Sequence, residues 1–359
     1  MGKILIVPLP ELGHILPTMS ITQYLISRGH EVVYLTAPQF SRVVEGAGAS
    51  WIALLSQDDS GKMFSARHIW NEFAPDAGGT SRSKRLSGLI RRSFREGEFS
   101  LVLVDHIIAT DYGCPVSEIA DGRNCLLFST SLPSWREYGK ISHVSDTLVF
   151  CPEQLEIPKF RRASPRLHYV EPSLRPLDEE RPSDLESLDS IVLISFGSQS
   201  IRYRRMPEQF RIMAELAQRL PLLQFVLATG MTASSTLGDS GVIPHNLFVY
   251  EKVPQRMLLD RTKVFITHGG LGSIKEAILA GVPMVVLPAS HDQPFNAMRI
   301  RHHGLGEAVF PEQQTIEKIE TAVLSALSGS YNTNILAMQQ HFKAIEAAKP
   351  SHSLIEAHL

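Results

Sequence analysis

The chain of 359 residues has only three cysteines, Cys114, Cys125 and Cys151, and none stands in a C-x-x-C pair. An odd number at that spacing excludes a disulfide framework and a cysteine zinc cage. Net charge is nearly absent too. The formal value is −2, from 35 basic and 37 acidic residues, which gives no electrostatic footprint for nucleic acid. No stretch approaches ~18 uninterrupted apolar residues, the length that spans a bilayer. The apolar run Ile4–Val7 is too short for a secretory signal. These absences describe a reduced, cytoplasmic protein. The glycine-rich dinucleotide fingerprint is also missing, because the first strand–helix turn has only Gly13, so the first half is not expected to hold a dinucleotide.

What is present is an ordinary globular composition, 43% hydrophobic and 20% charged, at a length that suggests two domains. Lys3–Leu9, Glu31–Ala37, Leu101–Asp105 and Cys125–Phe128 read as buried parallel strands. Pro17 and Gly29 punctuate a helix after the first of them. Six prolines then fall between Pro152 and Pro182, the texture of a linker. The strand–helix rhythm restarts at Ile191–Phe196, Gln224–Ala228, Leu247–Tyr250, Val264–Thr267 and Met284–Leu287, with a helix over Met206–Arg219. The expected class is therefore α/β, two doubly wound Rossmann-like domains facing across a cleft. The expected boundaries are 1–165 for the first domain, 166–188 for the linker and 189–335 for the second domain. A C-terminal helix over 336–359 is expected to pack back on the first domain.

Chemistry concentrates between Val253 and Gly306. In VFITHGGLGSIKE, Val264–Glu276, a strand ends at Thr267, a glycine turn follows, and a helix begins near Ser273. That arrangement gathers free backbone N–H groups and the positive end of a helix dipole, which suits a phosphate. Gly269, Gly270 and Gly272 allow close approach to the main chain, and His268 adds a side-chain donor. Ser273 and Glu276 also have capping-box spacing, a purely structural device. Asp292, Gln293 and Asn296 follow the next strand, where α/β sheets bind ligands, and acid with amide suits sugar hydroxyls. In the first half, His14 lies in the turn after the first strand. From position alone it serves equally as a helix-start residue or as a base.

The run VPQRMLL…VFITHGGLGSIKEAILAGVPMVVLP…DQPFNAMRI…GLG closely resembles the signature of the UDP-glycosyltransferase family. These are inverting enzymes of the GT-B fold, and the bacterial, natural-product type is the nearest pattern. The resemblance implies that Val253 meets the nucleobase through its main chain, with Gln255 beside the ring. It implies diphosphate contacts from His268, from the amides of Gly270 to Gly272, from the Ser273 hydroxyl and from Ser198. Glu276 would accept from the ribose. Asp292 and Gln293 would hold the transferred sugar, with Asn296 near the phosphate end. Two positions depart from the plant pattern: Lys252 stands where those members have Trp, and Gly272 where they have Asn.

The same resemblance covers Gly13-His14…Pro17, the family's catalytic-base motif, and makes His14 the general base. An imidazolium wants a carboxylate behind it, for which Asp105 is the first choice and Asp111 the reserve. The implied enzyme is a metal-independent hexosyltransferase. It would move a hexose, glucose by default, from a UDP-sugar co-substrate to a hydroxyl of a small hydrophobic acceptor, with no other cofactor. In agreement, the chain has no Asp-x-Asp pair of the kind metal-dependent sugar transferases use. Alternatives are a TDP-deoxysugar transferase, a UDP-sugar epimerase of the same fold, and an inactive sugar-nucleotide-binding homologue. The basic stretch Arg82, Lys84, Arg85, Arg91, Arg92 and Arg95 reads as a solvated helix face, with contact to a membrane surface left open. Trp70, Phe73 and Trp135 read as core before acceptor pocket, and His302-His303 as part of a surface helix. Acceptor identity and oligomeric state are unreadable in the sequence.

Overall fold

Continuous apolar runs become strands buried on both faces. The first sheet is formed by β1 (Lys3–Val7), β2 (Glu31–Thr36), β3 (Ser50–Ala53), β4 (Leu101–Asp105), β5 (Asn124–Ser129), β6 (Thr147–Val149) and β7 (Leu167–Tyr169). Their order is β3-β2-β1-β4-β5-β6-β7, and every pairing is parallel. The second sheet is formed by β8 (Ile191–Ser195), β9 (Phe225–Ala228), β10 (Leu247–Tyr250), β11 (Thr262–Thr267), β12 (Met284–Val286) and β13 (Gly306–Ala308). Its order is β10-β9-β8-β11-β12-β13, again all parallel. This is a computed structural model, which describes residues 1–53, 98–110, 124–132, 145–161, 164–174, 185, 188–197, 205–230 and 243–359.

Each sheet reverses its strand order once, between β1 and β4 and between β8 and β11. At such a switch point the flanking loops diverge and leave room for a ligand at the strands' carboxyl ends. The core fixes those ends. Ile4, Leu5, Ile6 and Val7 are fully buried, and burying each contributes about 1.5–3 kcal/mol. The register pairs Val7 with Val104 and Ser195 with Thr267, so the residues just beyond β1/β4 and β8/β11 emerge side by side. Helix α1 (Met19–Ser27) packs beneath the first sheet through Met19, Ile21 and Leu25. Helix α2 (Met206–Arg219) opens on Pro207 and buries Met206, Phe210, Met213, Leu216 and Ala217, a spacing of three and four residues that matches one helical face.

The chain divides into two compact units, but not at the boundaries read from texture. Unit 1 is Met1–Glu153, Phe160–Arg175 and Ile345–Leu359; unit 2 is Gln154–Lys159 and Pro176–Ala344. The first ten residues expected as linker, 166–175, are instead part of unit 1. There β7 pairs with β6, and Glu171 bonds the Ser351 amide and hydroxyl. The prolines misled because Pro165 and Pro172 bracket a short edge strand, where proline is tolerated. At the other end the division falls inside the helix Asn332–Ala348, not at residue 336. Gln339 donates to the Leu279 carbonyl at 2.7 Å, and Ile335 and Phe342 are fully buried, which ties the first part of this helix to unit 2. The last residues, with the helix Pro350–Glu356, dock on α1: His352 stacks on Tyr24 with centroids 3.6 Å apart, and Tyr24 donates to Glu356.

Candidate functional site

In unit 1 the turn after β1 leads into one helical turn, Leu12–Ile15, that carries His14. Asp105 is the last residue of β4, the neighbouring strand across the switch point. The sheet therefore brings together residues 91 positions apart: His14 Nδ1 lies 2.6 Å from Asp105 Oδ2. The Asp105 side chain is fully buried and that of His14 is 15% exposed. Asp105 also accepts from the backbone amides of Leu9 and Ile107, at 3.3 and 3.1 Å, which locks the carboxylate. Burial alone would raise its pKa, but the facing His14 imidazole, His106 and the Ile107 amide hold it below the ordinary carboxylate value. A carboxylate 2.6 Å away requires the proton on Nδ1 and directs the lone pair to Nε2. Thr130, just past β5, places its hydroxyl 2.9 Å from the same Nδ1. Sequence reasoning missed Thr130, and a lone Thr after a short strand offers no signal for it.

In unit 2 the strand–glycine turn–helix segment forms as expected in kind, with one correction. Helix α3 (Leu271–Ala280) starts earlier than Ser273, its N-cap is Gly270, and no side chain caps it. Ser273 is the third helical residue, so Ser273 and Glu276 do not make a capping box. The first-turn amides therefore have no side-chain partner from a cap, the condition under which a helix start attracts an anion. His268 immediately follows β11 beneath this helix start and is half-buried; desolvation of the ring pushes its pKa down to about 4, against a hydrogen bond to the Ser195 backbone. It is neutral at pH 7. Two glycines seat its ring: a Cβ on Gly197 would lie 2.6 Å from the ring, and one on Gly270 would lie 2.6 Å from Nε2. Gly197 also holds φ +79°, a conformation side chains resist. Gly272 is the opposite case, since a Cβ there meets nothing within 4 Å.

The remaining donor-side residues are brought together around α3 and α4 (Gln293–His302). Gln255 opens a short helix after Val253-Pro254, is buried, and donates to Glu276 Oε2 at 2.6 Å and to Ser273 Oγ at 3.3 Å. Its amide thus aims the Glu276 carboxylate. Val253 is half-buried and Lys252 exposed. Gln293 accepts from the Ala289 and Ser290 amides at 2.9 and 3.0 Å, fixing the loop after β12 with its carbonyl end. Asn296 donates to the Gly269 carbonyl at 2.9 Å and to Asp292 Oδ2 at 2.8 Å. It is fully buried and joins the glycine turn to the Asp292 loop.

Ser198 and the reserve acid Asp111 lie outside the described residues, as do Cys114, Trp70, Phe73, Trp135, Arg82, Lys84, Arg85, Arg91, Arg92 and Arg95. The histidine pair is not simply a surface feature: His302 is exposed, but His303 reaches the Leu155 carbonyl through Nε2 at 3.0 Å. Among the described residues no cluster of three His, Cys, Asp or Glu side chains could hold a metal ion. No helix among them is long and apolar enough to cross a membrane.

Two parallel sheets, each with polar residues at its switch point, make up the GT-B architecture of glycosyltransferases. The solved glycotransferase of kitacinnamycin superposes with TM-score 0.81 at 22% identity, covering 100% of this chain and 99% of that one. The spinosyn rhamnosyltransferase SpnG, solved with thymidine diphosphate, superposes at 0.76 with 18% identity, covering 99% of each chain. In sequence, the NDP-glycosyltransferase YjiC of Bacillus licheniformis is 26% identical over 388 residues, 98% of this chain and 96% of its own. Residues 176–351 match the family model described as UDP-glucoronosyl and UDP-glucosyl transferase. Residues 176–351 thus carry the pattern of the UDP-glycosyltransferase family, and the chain is a glycosyltransferase.

Proposed function

We propose that the chain transfers a hexose, glucose by default, from a UDP-sugar to a hydroxyl of a small hydrophobic natural product, with inversion at the anomeric carbon. The observation that carries this reading is the 2.6 Å bond between His14 and a fully buried Asp105 at the switch point of unit 1. A hydroxyl is a weak nucleophile at neutral pH and gains about 10²–10⁴-fold from a positioned base. His14 Nε2 takes the acceptor proton while the acceptor oxygen forms its bond to the anomeric carbon. The bond from that carbon to the diphosphate oxygen breaks on the opposite face, and the nucleoside diphosphate leaves. Asp105 stabilises the imidazolium that results. In unit 2 the uncapped start of α3 and the amides of Gly270 to Gly272 stabilise charge on the leaving phosphate, the task of an oxyanion site. Glu276 takes the ribose, Asp292 and Gln293 the sugar, and the scheme uses no metal or further cofactor. Natural-product acceptors are supported by the kitacinnamycin and spinosyn names of the structural neighbours.

A second reading concerns the base. Lys252 stands where plant members carry a stacking Trp, and a neighbour of the same fold carries thymidine diphosphate, so a dTDP-sugar donor is a specific alternative. Nucleotide release over paired UDP- and dTDP-sugars and polyketide or phenolic acceptors tests both. Acceptor-dependent release with inverted product supports transfer. Epimerised donor with no acceptor present, or nucleotide binding without release for any pair, overturns it.

A further inference from the structure

Six residues of the crossover chain, Gln154–Lys159, cluster with unit 2 although their flanks belong to unit 1. Their anchor is a buried ion pair that joins Glu156, outside the signature run, to Arg299 within it. Arg299 on α4 donates to Glu156 in a fork, Nε to Oε1 at 2.9 Å and Nη2 to Oε2 at 3.1 Å. Glu156 also accepts the Ile157 amide at 3.1 Å, and both side chains are almost completely buried. The third nitrogen of the same guanidinium, Nη1, donates to Asn296 Oδ1 at 2.9 Å. Asn296 in turn donates to Asp292 Oδ2 and to the Gly269 carbonyl.

The chemistry of an amide makes this chain directional. An amide can turn over, exchanging its acceptor and donor ends at little cost in shape. A guanidinium has donors only, so with Arg299 on one side Asn296 must show it the oxygen. Both N–H groups are then committed to the opposite side, toward Asp292 and the glycine turn. Arg299 can hold that attitude only while its planar fork is fixed and its charge compensated, and Glu156 does both. We propose that Glu156 and Arg299 are positioning residues for the donor sugar, setting the Asn296 amide and through it the Asp292 carboxylate. This rests on the reading of Asp292 as a sugar contact.

The glycine turn has backbone and Thr267 bonds of its own, and Gln293 fixes the Ala289–Ser290 part of the loop after β12, whereas Asn296 donates to the Asp292 carboxylate itself. Loss of the relay should therefore fall on the sugar more than on the nucleotide. Calorimetric titration of UDP-glucose and UDP into the full chain, Glu156→Gln, Asp292→Asn and the double variant reads this, with dTDP-glucose and dTDP as the second probe pair. Glu156→Gln is expected to weaken UDP-glucose about tenfold and UDP no more than about twofold. Asp292→Asn should weaken UDP-glucose at least as much, and the double variant should be no worse than Asp292→Asn alone, because both act through one carboxylate. Should Glu156→Gln not fold, Arg299→Lys, which keeps the charge but not the fork, is expected to show the same selective loss. Equal weakening of UDP and UDP-glucose, or additive effects in the double variant, overturns the relay and leaves a structural ion pair. Asp292→Asn weakened with Glu156→Gln unchanged also refutes the relay alone. Unchanged UDP-glucose binding by Asp292→Asn refutes the sugar-contact reading itself, and the relay with it.

Discussion

His14 and His268 both lie at switch points, but on opposite strands of them: His14 comes after β1, and His268 after β11, the counterpart of β4. Each follows a strand at the switch point of a parallel sheet, and each has a glycine beside it in sequence. Their surroundings then part. Behind His14 stands a buried carboxylate at 2.6 Å; at His268 stand a backbone bond to Ser195 and two glycines. The first ring is supported when it gains a proton, the second is held neutral by desolvation. On the proposed reading, topology supplies the location, and the group facing the ring decides between base and phosphate seat.

Taking the carboxylate from His14 breaks the contrast most severely. Asp105→Asn is expected to lower turnover roughly 10²–10³-fold while UDP-sugar affinity stays within about twofold, because the wrong tautomer is then stabilised. Steady-state kinetics beside calorimetry checks it. Disturbing the His268 seat should do the reverse. Gly270→Ala puts a Cβ 2.6 Å from the ring, and displacement of the ring is expected to weaken donor binding about ten- to a hundredfold, with turnover at saturating donor much less changed.

Protonation sharpens the comparison further. Neutral His268 offers a phosphate one lone pair where a donor is wanted, so a bound diphosphate must raise its pKa from about 4. Binding then takes up a proton between the free and bound pKa values, and affinity rises as pH falls through that window, by at most about tenfold per pH unit. UDP-glucose, whose diphosphate does not titrate near neutrality, titrated in buffers of different ionisation enthalpy should show net proton uptake. Proton release, or no rise in affinity as pH falls from 7 to 4, contradicts the assignment. The smallest effect is a gain. Space beside Gly272 is open, so Gly272→Asn should tighten donor binding about three- to tenfold by one added hydrogen bond, measured as the UDP-sugar Kd.

The two regions also differed in how far they could be read from residues alone. The donor segment is contiguous, and its strand, glycine turn and helix are local devices with local signatures. The dyad joins residues 91 apart, so only the family resemblance proposed it, and Thr130 stayed invisible because nothing in its neighbourhood marks it. The long apolar strands β1, β4, β8 and β11 were legible because both faces are buried. The strands β3, β6, β7 and β13 were not: SWIA, TLV, LHY and GEA interrupt the apolar run with polar or small residues, whereas the equally short FVLA, LFVY and MVV are continuous. The helix start was misplaced by two residues because Ser-x-x-Glu imitates a cap, while the true N-cap, Gly270, has no side chain to advertise it. The Glu156–Arg299 pair spans 143 residues, and no local pattern announces it.

Titrating His14→Ala and His268→Ala with UDP-glucose and dTDP-glucose, and assaying both for transfer, tests the division of labour most directly. His14→Ala should bind the wild type's donor with unchanged affinity and lose transfer about 10²–10⁴-fold. His268→Ala should lose affinity first. Wild-type turnover by His14→Ala, or donor binding lost in His14→Ala and kept in His268→Ala, would contradict the account.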